Sequence, residues 1–278
     1  MSTAWYKSKA VPTLLKQWEN TSGSIKKQLQ VWNTTCIVSN FGKTAMANSQ
    51  QQHHSYFLVN PANPNLTGVS KFPYFPRGGP QPKDQPQKDA HHIMGYVTKW
   101  GGMEVGQGML FSMNVVDGMV HTLGGWKLAM DCKVKGACQE GQAVLTSAGG
   151  EELRDHYDKI IHTVPPFYEH HVPTKEHSTP EECLALCYRY SIDMAEEEAC
   201  THHENVFIAF PLMGAGCRGF PIDPAVEVAA QQTAEWLRQE QSSSLSAFPL
   251  TTTLAFGIPE SEKANTLINA IEEKMILS

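Results

Sequence analysis

The chain has 278 residues, of which 41% are apolar, and this is enough for one large domain or two small ones. Its formal net charge is -6 and no basic stripe is visible, which argues against a general nucleic-acid-binding protein. The longest apolar runs are far shorter than a membrane span, and the first residues lack the apolar core of a secretory signal.

The seven cysteines are odd in number and scattered along the chain. Cys132 and Cys138, or Cys183 and Cys187, lack the C-x-x-C spacing of a zinc site. This usage is typical of reduced thiols in an intracellular protein. We therefore expect a cytoplasmic location, with the nucleus as the alternative.

Two regions differ in composition from the rest of the chain. Residues 1–24 are polar with weak periodicity, and we interpret them as an N-terminal extension of a single domain at 25–278. Residues 69–113 are rich in proline and glycine. A structureless segment of that length is unusual inside a compact domain, so we interpret it as an insertion.

Five short runs of β-branched and aromatic residues predict buried strands. They lie at 55–60, 142–147, 158–164, 205–210 and 250–256. Three helices are predicted among them: one starts at the capping pair Thr179 and Glu182, one at Asp223, and one follows Pro259. Strands that alternate with helices predict an α/β layered domain.

The sequence "PLMGAGCRGFP" at 211–221 fits the G-x-G-x-x-G pattern of a dinucleotide-binding turn. In a Rossmann fold, however, a helix beginning near Gly216 would hold Pro221 in its interior, at a cost of about 3 kcal/mol. The acidic ribose ligand expected about 20 residues further on is also missing. We therefore interpret Gly214, Gly216 and Gly219 as a loop whose backbone N–H groups approach phosphate or ribose. The alternative is a tight turn without a ligand.

A second glycine- and asparagine-containing loop follows the first predicted strand. In "LVNPANPNLTG" at 58–68, Asn60 and Asn63 are three residues apart. An asparagine amide can both donate to and accept from ribose hydroxyls, so this loop is a candidate for ribose binding. The alternative is that both asparagines occupy turn positions and bond their own backbone.

Five motifs of the chain together resemble the macro domain, an ADP-ribose-binding module. They are "VNPAN", "VDGMVHTLGG", "GQAVLT", "KIIHTVPP" and "IAFPLMGAGCRGFP", in that order, within residues 55–68 and 114–275. The resemblance implies a three-layer α/β/α sandwich with a mixed central sheet. It also implies a cleft at the carboxyl ends of the strands, which takes ADP-ribose.

In the macro domain, the glycine loop wraps the diphosphate and the distal ribose, so the resemblance implies ligand contacts for the whole loop. Its residues here are Gly214, Ala215, Gly216, Cys217, Arg218 and Gly219. Arg218 stands where the family commonly has an aromatic residue, and it either pairs with phosphate or lies solvated on a loop tip. Cys217 is interpreted as a loop residue and not as a catalytic thiol, because no basic partner can be identified.

The resemblance also assigns roles at the distal ribose. Asn63 matches the asparagine that contacts this sugar, and Asp117 matches the aspartate that helps to position or activate water in the hydrolase branch. These two are the candidate catalytic residues, although Asp117 by itself could be a helix cap. Gly118 lies beside Asp117 in the phosphate-facing turn, and Asn60 completes the ligand-binding residues on this side.

At the adenine end the match to the family is looser. Phe256 matches an aromatic position next to the adenine, and Asn33 in "VWNTT" takes the place of the adenine-selecting aspartate. The family also carries a polyglycine run shortly before the "VDG" turn. Here residues 69–113 separate Asn63 from Asp117, so that run has no counterpart at the usual spacing.

Adjacent histidines occur at 53–54, 91–92, 170–171 and 202–203. Adjacent side chains on a strand or helix point apart and no HExxH pattern is present, so we expect no metal site and no cofactor. His162 is interpreted as a core histidine. The leading functional hypothesis is a hydrolase that removes ADP-ribose from a modified protein or small molecule. The alternatives are a non-catalytic reader of ADP-ribose or ADP-ribosylated protein and a nucleic-acid-binding macro domain, which the acidic charge disfavours.

Overall fold

The computed structural model describes residues 10–22, 25–47, 54–68, 115–169, 171–216, 218–239 and 250–276, so the predicted insertion at 69–113 lies outside the described residues. Its strands are β1 (Thr13–Ser22), β2 (Ile25–Asn33), β3 (His54–Pro61), β4 (Ala143–Ser147), β5 (Lys159–Thr163), β6 (Asn205–Phe210) and β7 (Leu250–Ile258). They form one sheet in the order β1-β2-β7-β6-β3-β5-β4. β1 is antiparallel to β2 and β4 to β5, whereas the other neighbours are parallel, so the sheet is mixed.

Helices cover both faces of this sheet. They are α1 (Lys43–Met46), α2 (Val116–Lys135), α3 (Glu151–Arg154), α4 (Pro180–His202), α5 (Ile222–Arg238) and α6 (Ser261–Ile276). On β3, Phe57 and Val59 join the core beneath α4, α5 and α6, whereas Leu58 joins the core beneath α1, α2 and α3. Successive strand residues point to opposite faces, so these two cores confirm the predicted three-layer α/β/α sandwich. None of the helices in the described ranges is long and apolar enough to cross a membrane.

The five predicted strands are confirmed as β3 to β7, but β1 and β2 were not predicted. Thr13–Ser22, which we had assigned to an N-terminal extension, instead pair with β2 as part of the sheet. β1 is an edge strand whose side chains are mostly exposed, so it lacks an apolar alternation. In β2 the polar residues Lys27 and Gln28 are buried, and Lys27 Nζ donates to the carbonyl oxygen of Trp236 at 2.8 Å. A strand with such a composition does not stand out in the sequence.

The predicted helix starts are close to the observed ones. At α4 the capping box is confirmed, because the Glu182 amide donates to Thr179 Oγ1 at 3.1 Å and the Thr179 amide donates to the Glu182 carboxylate at 3.3 Å. α5 begins at Ile222, one residue before the predicted cap Asp223. α2 was not predicted, because the helix contains Gly125 with φ +60°, a conformation that interrupts a regular helix.

The parallel strands bring their carboxyl ends to one edge of the sheet. Asn33 at the end of β2 pairs with Ile258 at the end of β7, and Pro61 of β3 pairs with Thr163 of β5. The segments that leave these strands therefore meet at this edge. In open α/β sheets this is the edge at which ligands bind.

Candidate functional site

A cleft lies at this carboxyl edge, between the segments that follow β2, β6 and β7 and the beginning of α2. Its lining residues are Thr35, Cys36, Ile37, Val38, Val115, Val116, Met119, Pro211, Leu212, Ala215, Gly216, Gly257, Ile258, Pro259, Glu260 and Lys263. One end is apolar and suits a nucleobase or a sugar face. The other end is made by the start of α2 and the glycine loop, where backbone groups dominate.

The amino terminus of α2 supplies the polar end of the cleft. Val115 is the N-cap residue, and its side chain makes no capping hydrogen bond. The first amide groups of a helix have no partners within the helix and carry the positive end of its dipole. A helix start that opens into a cleft has the polarity that suits an anion such as phosphate.

The glycine loop faces this helix start. Gly214 and Gly219 have φ +84° and +76°, and a Cβ atom on Gly214 would lie 3.0 Å from the Phe220 ring. Backbone conformation and packing therefore account for these two glycines as a tight turn. Gly216 is different, because its φ is not positive and a Cβ atom there would meet nothing within 4 Å. Its lack of a side chain leaves open space in the cleft, and Cys217 lies outside the described residues.

The asparagine loop borders the site at the end of β3. Asn63 Oδ1 accepts from the amides of Asn65 and Thr67 at 3.1 and 3.4 Å, and its Nδ2 donates to the Gly68 carbonyl at 3.1 Å. Asn63 therefore shapes its own turn. Gly68, with φ +65°, packs so closely on the His121 ring that an added Cβ would lie 2.5 Å from Cγ. This contact places the asparagine loop next to the start of α2.

Asp117 is the centre of a buried polar network and not a helix cap. It is 3% exposed, and its Oδ1 accepts from Asn60 Nδ2 at 2.8 Å and lies 3.5 Å from His121 Nε2. Burial lowers the pKa of His121, while the Asp117 charge opposes that shift. Sequence reasoning did not single out His121, although its position four residues after Asp117 puts both side chains on one helix face.

His162 is hydrogen-bonded to this network through Asn60. The Asn60 amide also donates to His162 Nδ1 at 3.1 Å, so the ring proton lies on Nε2, which donates to Thr146 Oγ1 at 2.9 Å. Burial, with the neighbouring His121 as a second cause, lowers the pKa of His162 to about 3. His162 is therefore a neutral, hydrogen-bonded core histidine, which agrees with its interpretation from the sequence.

The structure places Arg218 inside the protein and not on a solvated loop tip. It is 6% exposed, and its Nη2 donates to the Ala62 carbonyl oxygen at 2.5 Å. Its guanidinium carbon lies 4.5 Å from the centroid of the Phe167 ring. Arg218 thus ties the glycine loop to the asparagine loop and to the segment after β5, and its pairing with phosphate stays a prediction.

Two residues assigned to the adenine end lie elsewhere. Phe256 is fully buried, with its ring centroid 6.0 Å from that of Phe210 in the core beneath α4 and α5. The next residue, Gly257, lines the cleft instead, because adjacent strand residues face opposite sides. Asn33 does not line the cleft either, since its Nδ2 donates to the carbonyl oxygens of Ile258 and Pro259, both at 3.0 Å.

Larger depressions occur on the helical surface between α4 and α5. Their walls carry the carboxylates of Glu176, Glu182, Asp193 and Glu235, with Arg189 as a cation. Such a surface repels a diphosphate. The smaller cleft at the sheet edge is therefore the better candidate site for an anionic ligand.

Comparisons with known proteins identify the family of the chain and its fold. A family model described as the Macro domain matches residues 108–229. An ADP-ribose glycohydrolase from Xenopus laevis is 36% identical over 126 residues, which make up 45% of this chain. The chain spans only 27% of that relative's length. A macro domain-containing protein from Listeria monocytogenes is 35% identical over 134 residues, which cover 47% of this chain and 68% of the relative.

Solved structures resemble the fold over nearly its whole length. The Oceanobacillus iheyensis macrodomain with ADP superposes with a TM-score of 0.53 at 16% identity, covering 95% of this chain and 98% of that one. The macro domain of ganglioside induced differentiation associated protein 2 gives a TM-score of 0.52 at 16% identity, with 90% and 85% covered. These similarities establish the fold.

Proposed function

Because the chain belongs to the macro domain family, we propose that its cleft binds ADP-ribose. The observation that carries this proposal is that the start of α2 and the open space over Gly216 line the same cleft. A diphosphate between them would lie at the positive end of the helix dipole, within reach of backbone N–H groups. The apolar wall formed by Ile37, Val38 and Ile258 would then take the adenosine end.

The other end of the ligand would reach the polar network. Asn63 and Asp117 are linked through Gly68 and His121, so the distal ribose has amide and carboxylate groups within its reach. The Oceanobacillus iheyensis macrodomain, whose fold this chain resembles, was solved with ADP. NAD carries a nicotinamide on the distal ribose, which this end of the cleft would have to accommodate.

Binding is tested by calorimetry with ADP-ribose and NAD on the same protein. We expect ADP-ribose to bind far more tightly than NAD. Gly216→Val should fill the open space and weaken ADP-ribose binding about tenfold or more, which corresponds to about 1.4 kcal/mol, without lowering the melting temperature. Ala137→Val, at an exposed position beyond the other end of α2, serves as the matched control. Binding of NAD but not ADP-ribose would overturn the proposal.

We further propose that the protein hydrolyses ADP-ribosyl linkages on proteins or small ADP-ribose derivatives. The 36% identical glycohydrolase and the position of Asp117 support this activity. Cleavage at the anomeric carbon develops positive charge on the sugar, which a nearby carboxylate stabilises. The same carboxylate can orient the attacking water. The Asn60 amide fixes the rotation of that carboxylate through its hydrogen bond to Oδ1.

Hydrolysis is tested by release of ADP-ribose from carboxylate-, serine- and arginine-linked substrates. Asp117→Asn should reduce turnover by about 10²–10⁴-fold while affinity for ADP-ribose changes much less, because the carboxylate acts mainly on the transition state. Asp131→Asn, on the same helix near its other end, should keep full activity. If the wild type releases nothing from any of these substrates but binds ADP-ribose, the protein is a reader. Full activity of Asp117→Asn would assign the chemistry to another group.

A further inference from the structure

A second cluster of chemically reactive side chains lies away from the cleft. His171 and His177 belong to the segment between β5 and α4, and Cys183 lies in the first turn of α4. Each contributes one nitrogen or sulfur atom, and these three atoms lie within 4.8 Å of one another. His177 and Cys183 are buried, with 4% and 0% of their surfaces exposed. Imidazole and thiolate are the ligands that zinc prefers in proteins.

The geometry of the two imidazoles fits a shared metal. His171 Nε2 and His177 Nδ1 are 3.3 Å apart, and the ring planes are inclined by 46°. Two nitrogens bound to tetrahedral zinc at about 2.0–2.1 Å lie roughly 3.3–3.4 Å from each other. The same separation is within the range of a hydrogen bond between the two rings, and a bound metal would replace that contact. The observed separation thus corresponds to one edge of a zinc tetrahedron.

Charged groups of both signs surround the cluster. The carboxylate of Glu140 acts on both His171 and Cys183, whereas the guanidinium of Arg218 acts on Cys183. His171 Nδ1 is buried and has no hydrogen-bond partner within the described part of the chain.

We propose that His171, His177 and Cys183 bind a divalent metal of the zinc type, with water in the fourth position. Cys183 donates a hydrogen bond to Cys187, which together with burial raises the pKa of its thiol. On binding, the metal replaces the thiol proton of Cys183, and this proton is released to solvent. The bond that forms is between the metal and Sγ, so no oxidant or reductant is needed.

The metal would join the segment after β5 to α4, and the same segment carries Phe167, on which Arg218 stacks. Sequence reasoning expected no metal site because it considered adjacent histidines, C-x-x-C spacing and the HExxH pattern. In this cluster successive residues are six positions apart, and the fold between β5 and α4 brings them together.

The proposal is tested with Co²⁺, a spectroscopic substitute for zinc, added to the reduced, metal-free full chain. We expect intense visible bands of tetrahedral cobalt, together with a near-ultraviolet thiolate-to-cobalt band, saturating at one equivalent. Cys183→Ala should abolish the thiolate band, whereas Cys200→Ala, at an exposed cysteine of the same helix, should leave the spectrum unchanged. His171→Ala should weaken cobalt binding while disturbing the core little, because His171 is only partly buried.

Thermal unfolding gives a second measurement that does not depend on cobalt spectra. Zn²⁺ should raise the melting temperature of the wild type and of Cys200→Ala, because a ligand of the native state stabilises it. The same Zn²⁺ should leave Cys183→Ala and His171→Ala unshifted, even if their starting values are lower. No tetrahedral cobalt spectrum in the wild type, or an unchanged spectrum in Cys183→Ala, would overturn the proposal.

Discussion

His162 shows how one buried side chain holds the arrangement of the site. Its Nδ1 accepts from the Asn60 amide, which also donates to Asp117, so the imidazole orients the carboxylate through Asn60. A protonated imidazole would carry a proton on Nδ1 and could no longer accept from that amide. The network therefore requires the neutral ring.

The neutral ring predicts a pH dependence of folding. Unfolded His162 titrates near pH 6.5 but the folded residue near 3, so below about pH 6.5 the unfolded chain binds a proton that the folded chain does not. The stability contributed by His162 is thus fully present above about pH 6.5 and is lost as pH falls toward 3, by at most about 1.4 kcal/mol per pH unit. In urea denaturation, His162→Gln should lose less free energy of unfolding between pH 6.5 and 4 than the wild type.

A substitution at an exposed residue that does not titrate provides the control for this measurement. Gln139→Ala should show the same slope as the wild type over the same pH range, because the glutamine side chain carries no titratable group. The remaining titratable groups are the same in the proteins compared, so the difference in slope belongs to His162. Parallel slopes for the wild type and His162→Gln would contradict a neutral buried imidazole.

Single residues also show how far the sequence could predict the site. Gly216 and the start of α2 line one cleft, and Gly68 of the asparagine loop contacts His121 of α2, because strand ends and a helix start meet at this edge of the sheet. The ligand-binding roles of Asn63, Asp117 and Gly216 stay predictions. Phe256 was misplaced because a shift of one residue along a strand moves a side chain to the opposite face. Arg218 was misplaced because its stacking partner Phe167 is distant in sequence, and no local pattern reveals that contact.

Among the elements, α4 has the clearest signal in the sequence. Thr179→Ala removes the side-chain acceptor of the Glu182 amide and should lower the free energy of unfolding by about 1 kcal/mol. Thr201→Ala makes the same substitution near the other end of α4, where the hydroxyl donates to the Glu197 carbonyl and supplies no cap. It should have little effect. Equal losses in the two variants by urea denaturation would show that the capping box does not stabilise α4.

The sequence did not predict α2 because a glycine of this helix makes backbone contact with a later segment of the chain. The Gly150 amide donates to the Gly124 carbonyl at 2.8 Å, and a Cβ on Gly150 would overlap the Leu123 carbonyl oxygen. The segment before α3 therefore approaches the backbone of α2 directly. Two adjacent glycines in a sequence are typical of a turn, whereas here they allow the backbone before α3 to contact the backbone of α2.

At the scale of the whole molecule, the alternation of strands and helices was enough to predict a layered α/β architecture. The order of the strands was not, since β2 pairs with β7 and the two come from opposite ends of the described chain. Pairing of this kind depends on which edges remain available after the other strands have assembled. No local pattern in β2 or β7 indicates that these two strands pair.

The position of β2 between β1 and β7 has a consequence for synthesis on the ribosome. The β1–β2 hairpin is translated before β3 to β6, and β7, which covers its parallel edge, is translated after all of them. Trp236, whose carbonyl receives the Lys27 ammonium, is also made late. If the hairpin had an apolar edge, it would associate with other chains in the time before β7 is translated. We expect the lysines and glutamines of β2, which made this strand hard to recognise in the sequence, to keep its free edge hydrated until β7 has been made.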